Sequence, residues 1–219
     1  MSGEAIRVAI ADDQPLFASG IRMLIEAQPD MVCVGVALNG REAVNLTDHE
    51  HPDVILMDLR MPVMNGIDAT RTILQRMASD PPRIIVVTTI QKDEAVFHAL
   101  RAGATAFLTK DATPDVLLQT IRSSASGDES LGIKETASLI REFVEPKPTG
   151  ASVLDGLSSR EREIFHLVAR GLSNSEIAKL VHLSDATVKS HVRALLQKLD
   201  LRNRIQVVIL AYENNLNGG

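Results

Sequence analysis

A chain of 219 residues with 45% apolar and 23% charged side chains has the make-up of a soluble globular protein of one large or two medium domains. No apolar run approaches the roughly 18–20 residues of a membrane span, MSGEAIRVAI lacks a secretory-leader pattern, and the lone Cys33 can form no internal disulfide, so a cytoplasmic protein without membrane contact is expected. The net charge of −5 is uneven: 11 Lys and Arg against 16 Asp and Glu in residues 1–125, 3 against 5 in 126–150, and 9 against 7 in 151–219, an acidic body followed by a mildly basic tail.

In chain order, Ile6–Ala11, Met31–Ala37, Val54–Met57, Ile84–Val87 and Thr105–Leu108 read as strands, because each is a short apolar run rich in β-branched residues. Between them apolar residues recur at helical spacing, as in Leu16, Ile21, Leu24 and Ile25, or Ile67, Ile73, Leu74 and Met77. A last helix opens with Thr113 as its cap and Pro114 in its first turn. Five βα units in succession predict an α/β domain over residues 1–125, a doubly wound five-stranded parallel sheet with helices on both faces. Residues 126–154 read as a linker carrying one amphipathic helix over Lys134–Val144, followed by the proline-bearing stretch EPKPTG at 145–150.

From residue 155 to 219 the period is helical throughout. Ser158-x-x-Glu161 and Ser173-x-x-Glu176 are capping boxes, with stops expected near Gly171 and Val181. Ser184 opens a third helix with Val188, Val192, Leu195 and Leu199 on one face, and a fourth runs from about Asn203. A short helix, a tight turn and a longer helix predict an all-α, four-helix domain of helix-turn-helix type.

The chemistry lies at the strand ends. The first strand runs into Asp12-Asp13, the third into Asp58, the fourth into Thr88-Thr89 and the fifth into Lys110, all on the carboxyl edge where open parallel sheets bind ligands. Singly, these residues read as a helix cap, a turn residue, a strand threonine and a surface lysine. Together they make a site. Converging carboxylates call for a hard cation such as Mg2+, Lys110 supplies a point charge for phosphate, and an aspartate at the rim is placed to accept a phosphoryl group.

The runs ADDQ (11–14), VILMDLRMPVMNG (54–66), IIVVTT (84–89) and AGATAFLTK (102–110) resemble a two-component receiver domain over about residues 5–125. The resemblance implies a flavodoxin-like fold and a phosphoacceptor, Asp58, that takes phosphate from a sensor histidine kinase, with kinase choice expected on the first helix around Gln14–Gly20 and on the loop after the fifth strand. It implies Mg2+ held by Asp12, Asp13, Asp58 and the Arg60 carbonyl, and a switch pair of Thr88 and Phe107. Arg60 and Ile90 stand two residues beyond Asp58 and Thr88, where members that dephosphorylate fast carry acid or amide groups, so a long-lived phosphoryl-aspartate is expected. Asp111 follows the lysine where many members have proline.

In the third C-terminal helix Lys189 and Arg193 share an exposed face with Ser190 beside them, a pattern that suits the major groove but also an ordinary solvated face. LSSREREIF (157–165), GLSNSEIA (171–178) and LSDATVKSHV (183–192) resemble the LuxR-type helix-turn-helix, and the whole chain is similar to response regulators of the NarL/FixJ type. That similarity implies base-edge contacts from Lys189, Ser190 and Arg193 and backbone contacts from Thr187, His191, Asn174 and Lys179. It implies a homodimer through Val207, Val208 and Tyr212 on inverted-repeat promoter DNA, and contact with RNA polymerase. A non-enzymatic regulator is expected. An aspartate-based phosphatase should have a second Asp where Arg60 stands, the GxxxxGK[ST] loop of a nucleotide hydrolase is missing, and the Cys and His residues do not cluster at zinc spacing. A regulator whose receiver serves only dimerisation stays open.

Overall fold

Alternating apolar runs and amphipathic segments fold as five consecutive βα units: β1 (Ile6–Ala11), α1 (Pro15–Glu26), β2 (Met31–Ala37), α2 (Gly40–Glu50), β3 (Val54–Met57), α3 (Gly66–Arg76), β4 (Arg83–Thr88), α4 (Glu94–Ala102), β5 (Ala106–Thr109) and α5 (Pro114–Ala125). The computed structural model describes residues 5–89, 94–127, 136, 140–144 and 151–216. The chain divides into two compact units, Met1–Asp128 and Glu129–Gly219.

All strand pairings are parallel, in the order β2-β1-β3-β4-β5. The chain steps from β1 to β2 on one side and returns to β3 on the other, so the topological switch point lies between β1 and β3. β3 and most of β1 and β4 are buried, as expected of central strands covered on both faces, whereas β2 and β5 at the edges are part-exposed. On one face Ala18 and Ile25 of α1 meet Leu117, Leu118 and Ile121 of α5 over Val8, Ile10, Val54, Leu56, Ile85 and Val87. β4 is longer at both ends than the sequence predicts, and β5 begins at Ala106 because Thr105 turns both its N–H and its hydroxyl onto the Ile84 carbonyl.

The second unit contains a 3-10 turn (Ala151–Leu154), α6 (Ser159–Ala169), α7 (Asn174–Val181), α8 (Asp185–Lys198) and α9 (Arg204–Glu213). Both capping boxes form, each with the serine side chain on the N3 amide and the glutamate on the cap amide. α6 ends before Gly171 at φ 79°, and α7 at His182, whose φ of 54° lets the Leu183 N–H reach the Ala178 carbonyl. Phe165, Ile164, Val168, Ile177, Val188, Leu195 and Val207, all fully buried, form the core of this unit. Among the described residues no helix is long and apolar enough to cross a membrane. The helix expected over 134–144 is described as helix at 136 and 140–143, while 145–150 lie outside the described residues.

Candidate functional site

Asp12, one residue past β1, and Asp58, one past β3, flank the switch point. Asp12 is 2% and Asp58 6% exposed, with Asp13 exposed beside them. The Asp58 N–H donates to the Ala11 carbonyl at 2.8 Å, continuing the sheet pairing to its edge. One carboxylate oxygen from each of Asp12, Asp13 and Asp58 lies within 4.8 Å of the others. An all-oxygen donor set of this size fits a hard divalent cation that completes its shell with water or phosphoryl oxygens.

Lys110, one residue past β5, closes the site. Its Nζ lies 2.7 Å from Asp12 Oδ2 and 2.8 Å from Asp58 Oδ2, and its N–H donates to the Thr88 carbonyl at 2.7 Å. The remaining oxygens are engaged by main chain: the Gln14 N–H donates to Asp12 Oδ1 at 2.9 Å and the Arg60 N–H to Asp58 Oδ1 at 3.2 Å. Burial pushes the Asp12 carboxyl above its ordinary range, the Lys110 and Gln14 hydrogen bonds offsetting only part of that. Burial alone would lower the Lys110 ammonium, but its bonds to Asp12 and Asp58 outweigh it and hold the group above its ordinary value. Three carboxylates against one ammonium leave the cluster negative, so it favours a cation and, once neutralised, a phosphoryl group.

Gly40, which no motif contains, and Gly66, which ends the VILMDLRMPVMNG run, set the loops. A β-carbon on Gly40 would lie 2.5 Å from the Met64 carbonyl oxygen, to which the Gly40 N–H donates at 3.0 Å. One on Gly66 would meet the Asp58 carbonyl oxygen at 2.1 Å. Both helices therefore start in contact with the loop that carries Asp58, capped by Asn39 and Asn65. Phe17 was also missed: its ring centroid lies 4.7 Å from Lys110 Nζ. In sequence it is one more apolar residue of an amphipathic helix.

Thr88 is buried at the end of β4. Phe107 is half-buried in β5, and its register partner Val86 shares the strand face of Thr88. Ile90 lies outside the described residues.

In the second unit Lys189, Ser190 and Arg193 are exposed along α8, and Lys179 is exposed on α7. His191 and Thr187 are half-buried, Thr187 sharing a 2.7 Å hydroxyl contact with the cap Ser184. Asn174 is 8% exposed, and its Oδ1 accepts a 3.2 Å bond from Arg204, a buried arginine that also donates to the Leu172 carbonyl. Val207 and Val208 are 0% and 1% exposed in the single chain, with Val207 inside the helical core. Tyr212 is half-buried, its hydroxyl accepting from Arg141.

Residues 8–122 match the response regulator receiver domain, and residues 155–211 match the bacterial regulatory proteins of the luxR family. The chain is 38% identical over 218 residues to the uncharacterized transcriptional regulatory protein YxjL of Bacillus subtilis, covering 99% of each. It is 32% identical over 213 residues to the nitrate/nitrite response regulator protein NarL of Escherichia coli, covering 97% of this chain and 98% of that one. Among solved structures, the receiver domain of the putative response regulator NarL from Mycobacterium tuberculosis superposes with a TM-score of 0.54 at 32% identity, covering 57% of this chain and 99% of that one.

Proposed function

The chain belongs to the response regulators, a receiver domain followed by a LuxR-type DNA-binding domain, and from that premise we propose that it is a transcription regulator switched by phosphorylation of Asp58. The observation that carries this reading is the Lys110 ammonium bridging Asp12 and Asp58 at 2.7 and 2.8 Å beside a third carboxylate.

An Asp58 carboxylate oxygen attacks the phosphorus of a phosphohistidine on a sensor kinase. The P–N bond breaks, the imidazole keeps its electron pair, and a mixed anhydride forms on Asp58. Lys110 holds the attacking carboxylate in place and then pairs with a phosphoryl oxygen. Asp12, Asp13, Asp58 and the Arg60 carbonyl would hold Mg2+, which when bound neutralises charge on the transferring group. The exposed α1 residues from Gln14 to Gly20, including Leu16 at 88%, suit a kinase contact. Thr88 then turns toward the phosphoryl group and Phe107 follows into the space vacated, reshaping the α4–β5 face.

That change favours a homodimer in which two α8 helices read half-sites of an inverted repeat about one helical turn apart. Lys189, Ser190 and Arg193 approach base edges, Thr187, His191 and Lys179 lie nearer phosphates, and promoter-bound protein contacts RNA polymerase. The protein acts in the cytoplasm. The domains in this reading are 1–125 and 155–219, with 126–154 as the linker.

The test incubates the wild type and Asp58→Asn with Mg2+ and acetyl phosphate, recording intact mass and oligomeric state. One phosphoryl gain with a shift to dimer, both lost in the mutant, is expected. A dimer formed regardless of mass would favour a phosphate-independent regulator, and no gain in the wild type would sink the switch.

A further inference from the structure

The Lys110 ammonium lies between unequal neighbours. Its side chain is 9% exposed, and two of its three N–H donors go to Asp12 Oδ2 and Asp58 Oδ2. The Phe17 ring lies beside the same ammonium, its centroid 4.7 Å from Nζ, within the range of a cation–π contact. Phe17, Asp12, Asp58 and Leu117 enclose a void of about 10 Å3 with their neighbours, space for about one water at most. Burial strips water from the cation, and the negative face of a ring at this distance offsets part of that loss.

We propose that Phe17 is a positioning residue for phosphoryl transfer, its ring face holding the Lys110 ammonium against the acceptor. The inference rests on the phosphoacceptor reading of Asp58. When the Asp58 carboxylate becomes an acyl phosphate it loses its charge, and Lys110 must exchange that partner for a phosphoryl oxygen. Through the exchange Asp12 remains, and so does the negative face of the ring. Phe17 is suited to this because it is anchored elsewhere: it sits in the first turn of α1 and packs against the core shared by α1 and α5. The contact spans 93 positions of sequence, Phe17 to Lys110, and ties α1 to the end of β5. Its strength depends on the electron density of the ring. A side chain that merely fills space would be indifferent to that density.

The experiment replaces Phe17 in the full-length chain by mono-, di- and trifluorinated phenylalanine, a nearly isosteric series of falling ring negativity, alongside Phe17→Leu and Phe17→Tyr. Each protein is given Mg2+ and acetyl phosphate, and the rate of phosphoryl gain is read by intact mass. The Lys110 ammonium signal is followed by 15N NMR in the same proteins before any phosphodonor is added. The expected result is a stepwise fall in rate of about threefold to tenfold across the series. Phe17→Leu should lie at the bottom and Phe17→Tyr near the wild type. The ammonium signal should lose its ring-current shift in Phe17→Leu. Equal rates across the fluorinated series in a protein that is phosphorylated would overturn the positioning role and leave the phosphoacceptor reading intact. An ammonium signal unmoved by Phe17→Leu would overturn the contact itself. A wild type that gains no phosphoryl group would overturn both readings together.

Discussion

Gly66 lies so close to Asp58 that a β-carbon added to it would sit 2.1 Å from the Asp58 carbonyl oxygen and 3.0 Å from the carbonyl carbon. The contact fixes where α3 begins relative to the acceptor, and the Gly66 N–H confirms it by donating to the Leu59 carbonyl at 3.0 Å. Because the obstructing atoms are main chain, they can yield only by moving the Asp58 loop. Gly66→Ala should therefore cost about 1–3 kcal/mol, the range of overpacking, and slow phosphorylation of Asp58. Hydrogen exchange of the β3 amides checks the first effect and intact mass with acetyl phosphate the second. Unchanged values of both would refute the constraint.

The same loop contains strain. Val63 is β-branched yet sits at φ 67°, where the Met64 N–H closes a three-residue turn onto the Pro62 carbonyl at 2.7 Å. Its side chain is 83% exposed, so burial offsets little of the cost. Glycine, with no β-carbon, enters this backbone region without the steric cost. Val63→Gly should relieve that strain and stabilise the first unit by up to about 1 kcal/mol, the added freedom of the unfolded chain offsetting part of the gain, seen as slower exchange of β3 and α3 amides. A destabilised variant would show that valine earns its place through contacts made elsewhere.

Arg60 exposes its side chain while its amide holds Asp58 Oδ1. A guanidinium there can pair with phosphoryl oxygens but cannot act as a base toward water. A phosphoryl-aspartate persisting long after donor removal is expected, and Arg60→Asn should shorten its life by about tenfold, well short of full general-base assistance. Rapid Mg2+-dependent loss from the wild type would contradict this.

Glu161 joins a capping box to an ion pair. Its Oε2 accepts from the Ser158 N–H at 2.8 Å and lies 2.8 Å from Lys198 Nζ. Lys198 first, and then Ser158, lower its pKa from 4.5 to about 2. A depressed carboxyl stabilises the fold above its unfolded pKa and loses that contribution as pH falls through the folded value. The second unit should therefore lose stability between about pH 4.5 and 2, and Glu161→Gln should flatten that slope. Tyr212, the one tyrosine in a chain without tryptophan, gives a fluorescence signal confined to this unit.

For DNA, Arg193→Ala should cost about 1–3 kcal/mol and relax base preference at one position, whereas Lys179→Ala should weaken all sequences alike and reduce the salt slope by about one. Binding isotherms at several salt concentrations separate the two. An unaltered slope for Lys179→Ala would remove it from the phosphate contacts.

Much of this protein is local and therefore legible in the chain itself. β1, β2 and β3 match their runs residue for residue, since short runs rich in β-branched and apolar residues bounded by polar turns suit a strand whether it lies at the centre or the edge of the sheet. Both capping boxes were readable because all their partners lie within four residues. Asp12, Asp13, Asp58 and Lys110 could be grouped beforehand because parallel strands present their carboxyl ends on one edge, whatever the details of packing. Tertiary structure decided what depends on distance and on choice of face. α9 is apolar nearly all round, with Ile205, Val207, Val208, Ile209 and Ala211 all buried, so its period could not say which side met the core. Asn174 was withdrawn from the surface by Arg204, 30 residues on. The cradle at Gly66 and the ring beside Lys110 exist only once the chain has returned to the same edge, because two groups that attract or exclude one another leave no mark at either position alone.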